Sequence, residues 1–402
     1  MTERAMLYRY ELKKILGRKL VWIAAGVMLA VVVFTLAIPL LGGYYVDGAK
    51  VDDNYHMHLV DSAHQKALSG RAIDQALLEE TMAAYAMVPR DVPRYSVTQE
   101  YQTYARPYSA IFNLIRQTTG MDTPQALDWV PDEAALYAGR QAMLERLWEG
   151  DLLSQGERDF WRQREAKVEK PLVFSTYTGY EMLIDSLYTI GLLTLLVVAV
   201  CLSSVFSDEH ARGTDQLILS SRAGKSGLYW SKLWAGTTCA AGLGLFFAVV
   251  SFAVSFALYG AQGFKAPFQL MYARSADPIC IGQAALISYG LMVLAAALTG
   301  VFAMILSELL DSNISALSVV VGLILLSLFI TVPEQYRALS QLWDFLPSNF
   351  LAVWSIFSAR TVPLFGRYLT AWQAAPLLYI ALGALPAVAG KAVYRRYQVN
   401  GR

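Results

Sequence analysis

Phe206-Ser-Asp-Glu-His-Ala-Arg-Gly-Thr-Asp-Gln-Leu-Ile-Leu-Ser-Ser-Arg222 is a polar stretch held between two long apolar runs, and with the residues up to Lys232 it decides the fold. A helix that crosses ~30 Å of hydrocarbon needs about 20 mainly apolar residues. The flanking runs, 183–206 and 233–259, both reach that length. The polar stretch is too short to be a domain, and its Arg212, Arg222, Lys225 and Lys232 assign it to the cytoplasmic side by the positive-inside bias. Leu217, Ile218 and Ser221 share one side of a helix. A short amphipathic helix on a cytoplasmic loop between two spans suits docking onto a soluble partner.

Outward from this stretch, further apolar runs at 20–43, 283–307, 315–333 and 370–390 bring the expected number of spans to six. Only 16% of the 402 residues are charged, against about 25% in a soluble chain. The formal net charge of +1 selects no partner. Cys201 and Cys239 lie in apolar runs and Cys280 near the start of another, which gives neither a disulfide framework nor metal-ligand spacing. The first run is too long for a signal-peptide core and no small-residue cleavage pattern follows it, so it reads as an uncleaved signal anchor. Arg4, Arg9, Lys13, Lys14, Arg18 and Lys19 at one end, and Lys391, Arg395, Arg396 and Arg402 at the other, predict that both termini are cytoplasmic in a multi-pass plasma-membrane protein. The 308–314 turn carries Glu308 and Asp311 and no basic residue; an even number of spans places it inside.

These expectations divide the chain into an interfacial helix at 1–19, a first span at 20–43, an extracellular domain at 44–182 and a five-span unit at 183–402 with its cytoplasmic loop at 207–232. The fold class expected is an all-α membrane protein. In the extracellular insert, Ser96-x-x-Gln99 and Ser154-x-x-Glu157 read as capping boxes. Leu136, Met143, Leu144, Leu147 and Trp148 form a helical apolar stripe. Pro89 and Pro171 punctuate helix ends. Aromatic residues such as Tyr101, Tyr108, Phe112, Trp129 and Trp161 are not the composition of a disordered linker. Before the first span, residues 5–19 form an amphipathic helix with Tyr8, Leu12, Ile15 and Leu16 on one face, and Lys13, Lys14 and Arg18 placed to meet anionic headgroups. Residues 334–369 are too apolar for an ordinary loop; a re-entrant or interfacial helix pair and an outward extension of the fifth span both remain open.

The spacing Phe206, Glu209, Gly213-Thr214, Leu217, Ser221-Arg222, Lys232 resembles the first cytoplasmic loop of ABC transporter permeases of the type-2 exporter (ABC-2) class. The insert matches that class in placement only. The resemblance implies an elbow helix before the first span, a pair of permease chains, and two ATPase subunits on which the loop rests. Contact with the ATPase would fall to Glu209, Gly213, Thr214, Leu217, Ile218, Ser221 and Arg222. Glycine would permit a sharp turn and threonine would cap the helix that follows. Cargo — peptide, lipid, drug or ion — is not specified by the residues.

The chain carries no energy source of its own that the sequence reveals. Ala223-Gly224-Lys225-Ser226 looks like the tail of a phosphate loop, but Leu219 or Ser220 stands where the first glycine belongs, and the context is a loop between spans with no preceding strand. ATP and magnesium are therefore expected on a separate subunit, with no cofactor and no nucleic acid on this one. His56, His58 and His64 cluster, yet only Asp61 is a usefully spaced acid, too few ligands for zinc. No His-Glu-x-x-His or Gly-x-Ser-x-Gly pattern occurs, so no catalytic or metal residue is assigned. Asp185 is the one acid that falls within a span, with Glu181 above it; a functional intramembrane charge and a shallow interfacial position are both open. Against the exporter stands a membrane sensor or scaffold whose insert binds a ligand and whose loop signals inward.

Overall fold

The computed structural model describes residues 3–89, 95–211, 227–364 and 366–396. Helix α1 (Glu3–Leu16) leads into α2 (Lys19–Ala37). The insert follows with a hairpin, β1 (Gly43–Val46) and β2 (Ala49–Asp53), and six helices: α3 (Asn54–Leu68), α4 (Gln75–Ala86), α5 (Ser109–Thr119), α6 (Thr123–Leu127), α7 (Glu133–Gly150) and α8 (Gln155–Glu165). The chain then returns through α9 (Thr178–Leu202) and the short α10 (Ser207–Ala211). Long helices α11 (Gly227–Tyr259) and α12 (Ile281–Leu309) precede α13 (Asn313–Phe329). Three short helices come next, α14 (Arg337–Asp344), α15 (Pro347–Phe350) and α16 (Val353–Ile356), then a hairpin of β3 (Val362–Leu364) with β4 (Arg367–Leu369), and finally α17 (Ala371–Arg396). The fold is thus mostly helical, with two small antiparallel hairpins among the described residues that the helical reading of the sequence did not include.

Among the described residues, five segments are long and apolar enough to cross a membrane: Lys19–Leu40, Thr178–Glu209, Gly227–Tyr259, Ile281–Leu309 and Ala371–Ala392. This is a multi-pass membrane architecture. The expected fifth of six spans is the 17-residue α13, about 25 Å long and so short of the ~30 Å hydrocarbon layer by itself. Helix α12 is the axis of the bundle, with 67% of its most apolar window buried against 22% for the first segment. Small residues let its neighbours approach. A methyl group on Gly300 would lie 2.8 Å from the Cβ of Ala240 on α11 and 2.9 Å from Leu202 Cδ1 on α9, the close packing expected where helices pack without a hydrophobic drive between them. Interhelical hydrogen bonds add to this: Ser255 Oγ donates to Gly179 O at 2.7 Å and the Tyr289 hydroxyl to Leu183 O at 3.1 Å.

Residues 334–369 resolve into a fold-back. Phe350, Leu351 and Ile356 are fully buried. Gly191, about 20 Å along α9 from its start, leaves room for Leu351, whose Cδ1 would stand 2.6 Å from an added Cβ. The segment between α15 and α16 therefore enters the bundle beside the middle of α9. Irregular backbone at such a depth survives only where protein or a watery cavity surrounds it, and the turns satisfy one another locally through Phe350 N to Leu346 O and Ile356 N to Ala352 O.

The insert caps the end of the bundle opposite the termini. Its core holds the expected stripe: Leu136, Leu144 and Trp148 are buried, with Met143 at 8% exposure. The Ser154–Glu157 capping box forms. The Ser96–Gln99 box does not; residues 95–97 make a 3-10 turn, and Thr98 Oγ1 accepts the Tyr101 amide at 3.3 Å where a π-helical turn, Tyr101–Ala105, begins. Asp61 accepts both arms of the buried Arg106, at 2.6 and 2.7 Å. Among the side chains that fasten the insert to the bundle, four make short polar contacts. Arg140, paired with Glu165, donates to Ser275 O at 2.7 Å; Arg164 pairs with Asp277, whose other oxygen accepts from Trp372 of α17 at 3.2 Å; Glu157 accepts from Thr361 at 2.7 Å and from Arg337; Trp161 donates to Ala359 O at 2.5 Å.

Candidate functional site

At the end of the bundle that carries the termini, three separate segments bring opposite charges into one buried knot. Helix α1 presents Glu11 and Lys14 from successive turns, with Arg18 just beyond. The segment joining α9 to α10 supplies Ser204 and Phe206, α10 itself supplies Asp208 and Glu209, and the second turn of α11 supplies Lys232. Lys232 has no exposed surface. Its Nζ donates to Glu209 Oε1 at 2.6 Å, to Glu11 Oε2 at 3.3 Å and to Val205 O at 3.4 Å, and sits 5.7 Å over the Phe206 ring. Lys14 donates to the same Glu209 oxygen at 2.7 Å. Arg18 reaches Ser204 Oγ at 2.5 Å and Asp208 at 2.9 Å. Among the described residues the knot balances three carboxylates against three cations. Burial works against the Lys14 charge, yet the hydrogen bond to Glu209 and the charges of Glu11 and Glu209 outweigh it and hold the ammonium above its ordinary value. Removing one member of a buried ion network leaves its partner charged and dry, which costs about 3–5 kcal/mol.

The knot continues into the bundle. The Ser207 amide and hydroxyl both meet Ser307 Oγ of α12, at 3.1 Å each. Phe206, Tyr229 and Tyr394 form a ring cluster with centroids 5.4–6.0 Å apart, and Tyr229 donates to Ala387 O at 2.7 Å. The chain leaving α9 is thereby tied to α1, α11, α12 and α17 at once.

Of the residues expected to meet an ATPase, Glu209 is 8% exposed and faces inward. Gly213, Thr214, Leu217, Ile218, Ser221 and Arg222 lie outside the described residues. Lys13 is exposed as expected for a headgroup contact, whereas Lys14 and Arg18 turn into the knot, drawn by Glu209 and Asp208. Leu16 is also exposed, and the inward face of α1 is Glu11 with Ile15. Asp185 is exposed on the flank of α9, about two turns from its start. The three histidines diverge: His56 stands 3.7 Å from Asp52, His58 packs edge-on to Tyr259 at 5.0 Å, and the Nδ1 of His64 is buried with no hydrogen-bond partner. Glu11 was signalled only by being an acid on an apolar helical face; no local signal marks Asp208 or Ser307.

A second feature opens under the insert. A cavity of about 500 Å³ lies between the end of α7, the fold-back and the half of α9 nearest the insert, lined by Trp148, Asp151, Tyr188, Tyr272, Trp354 and Arg360 among others. Tyr188 and Trp354 stand 6.2 Å apart on its floor. Arg360 pairs with Glu334 at 2.9 Å and Asp344 at 3.5 Å. Burial, then the like charge of Glu334, pushes Asp151 above the usual carboxylate range despite Arg360. Burial does the same to Asp344, where Arg360 opposes and Glu334 reinforces. Cavities of this size with aromatic walls and a few placed charges are where small amphipathic ligands bind.

The chain matches no protein-family model and no curated protein.

Proposed function

We propose that the chain is the membrane-spanning permease subunit of an ATP-driven exporter of the ABC-2 kind, acting as one of a pair in the plasma membrane. ATP is bound and hydrolysed on a separate subunit. The termini and the 207–232 loop then lie in the cytoplasm, as the basic residues at that end favour, and the insert lies outside.

The observation that supports this most is the buried Glu11–Lys232–Glu209 knot. A partner that pushes on 207–232 needs a stiff joint to move spans, and the knot joins that segment to α1 and α11 at the membrane edge. Glu209 serves the joint from inside, which leaves the partner's contact to residues after it. Leu217→Asp with Ile218→Asp should release the ATPase from a tagged permease while leaving the permease folded, since burying two aliphatic side chains contributes about 3–6 kcal/mol before association costs. Undiminished co-purification would move the contact elsewhere.

The cavity beneath the insert supports a second reading, in which the insert captures a ligand and the loop signals to a cytoplasmic partner. Reconstituted ATP turnover that drives vectorial movement belongs to the first reading and not to the second.

A further inference from the structure

We propose that the end of the bundle carrying the termini holds one anionic phospholipid, with an acyl chain between α11, α12 and α17 and the phosphate against Arg4 and Lys391. The inference needs only a membrane protein and stands apart from the exporter reading.

A groove of about 390 Å³ runs between these three helices, walled by Leu233, Leu294, Leu298, Ile380, Ala384 and Val388. It follows α11 from Trp230 to Thr237, about 10 Å. Trp234, 61% exposed, stands at its side. Trp230 and Trp234 also line a second, open pocket of about 900 Å³ at the helix ends, with Arg4, Tyr8, Ser231, Thr238 and Lys391. The two spaces thus share a wall and form one site, apolar toward the middle of the bundle and basic and hydroxyl-rich at its end.

The chemistry of the open end selects the headgroup. Lys391 Nζ lies 5.7 Å over the Trp230 ring, and neither Lys391 nor Arg4 forms an ion pair among the described residues. Two uncompensated cations beside three hydroxyls suit a phosphate, and basic pockets between helix ends attract anionic lipids at about 1 kcal/mol per cation. Tryptophan belongs at this depth, where the ring is apolar and its N–H is wet. A second copy of the chain fits less well, because a two-fold contact through this face would bring the same cations toward their own symmetry mates.

The test is native mass spectrometry of the full chain in detergent, titrated with phosphatidylglycerol or with phosphatidylcholine of the same acyl composition. One phosphatidylglycerol per chain should be retained with about 10- to 30-fold preference. Arg4→Ala with Lys391→Ala should abolish the preference and leave phosphatidylcholine retention unchanged. Gly383→Leu should lower both, since Gly383 lines the groove, an added Cβ there meets only Leu298 Cδ1 at 3.5 Å, and the longer side chain would take up acyl-chain space. Unchanged thermal unfolding of both variants shows that the fold is kept. Equal retention of the two lipids, an unaltered double-alanine variant, or a lipid-free dimer through this face would overturn the proposal. So would glycerol phosphate binding as well as the lipid, because the groove would then contribute nothing.

Discussion

Lys232 has no exposed surface and holds two carboxylates. The energetics of such a site lie in its balance more than in any single pair. Lys232→Met should therefore destabilise the protein by about 3–5 kcal/mol, read as a lower Tm in detergent. Lys232→Met with Glu209→Gln removes one charge of each sign and should recover most of that loss. Additive losses would mean that the two side chains are not coupled. Asp151 offers a pH test. Its folded pKa is raised by burial and by Glu334, so the folded state holds the proton more tightly than the unfolded chain. Its contribution is then present below the ordinary aspartate value of about 3.9 and is lost as pH rises through the raised value. Asp151→Asn should flatten stability across that window, and an unchanged slope in the variant would remove Asp151 from the account. The acid itself is plain in the sequence, but its environment is not, because Asp151, Glu334 and Arg360 come from segments far apart in the chain.

Elements were legible where their cause is local. Hydropathy marked the long helices, since a span needs only its own residues to be apolar, and Ser154 with Glu157 marked the start of α8 because the box closes within four residues. The first hairpin also had a local signal that the helical reading passed over. Asp47-Gly48 joins β1 to β2 with φ of 48° and 79°, the pair of positive angles that Asp-Gly turns provide. The knot had no such signal: Glu11 and Lys232 are 221 residues apart and meet only when α1 packs on α11. The fold-back depends on one missing side chain. Gly191→Val should push Leu351 out of α9's flank and cost about 1–3 kcal/mol through overpacking. Leu351→Ala in the same chain should restore much of it, and a Gly191→Val protein as stable as the parent would mean that the fold-back is not seated there.

At the scale of the molecule, the sequence orders the segments, and packing decides which of them act together. The insert is fastened through Arg140, Glu157, Trp161 and Arg164 to the loops of the bundle, while the knot fastens the opposite end. Topology is open to direct measurement. Val130, 76% exposed, and the exposed Lys13 lie at opposite ends. In a background without Cys201, Cys239 and Cys280, Val130→Cys should label with an impermeant thiol reagent on intact cells and Lys13→Cys should label only after lysis. The reverse pattern would invert the orientation proposed above. The burial of Lys232 has one more consequence, in the response to ionic strength. Screening shortens to ~3 Å at 1 M salt but acts only where ions can enter. A high-salt wash of membranes should therefore leave the joint between α1, α10 and α11 closed, and a chain returned to low salt afterwards should unfold at an unchanged Tm, whereas ion pairs on the exposed flanks of the insert are screened throughout the wash.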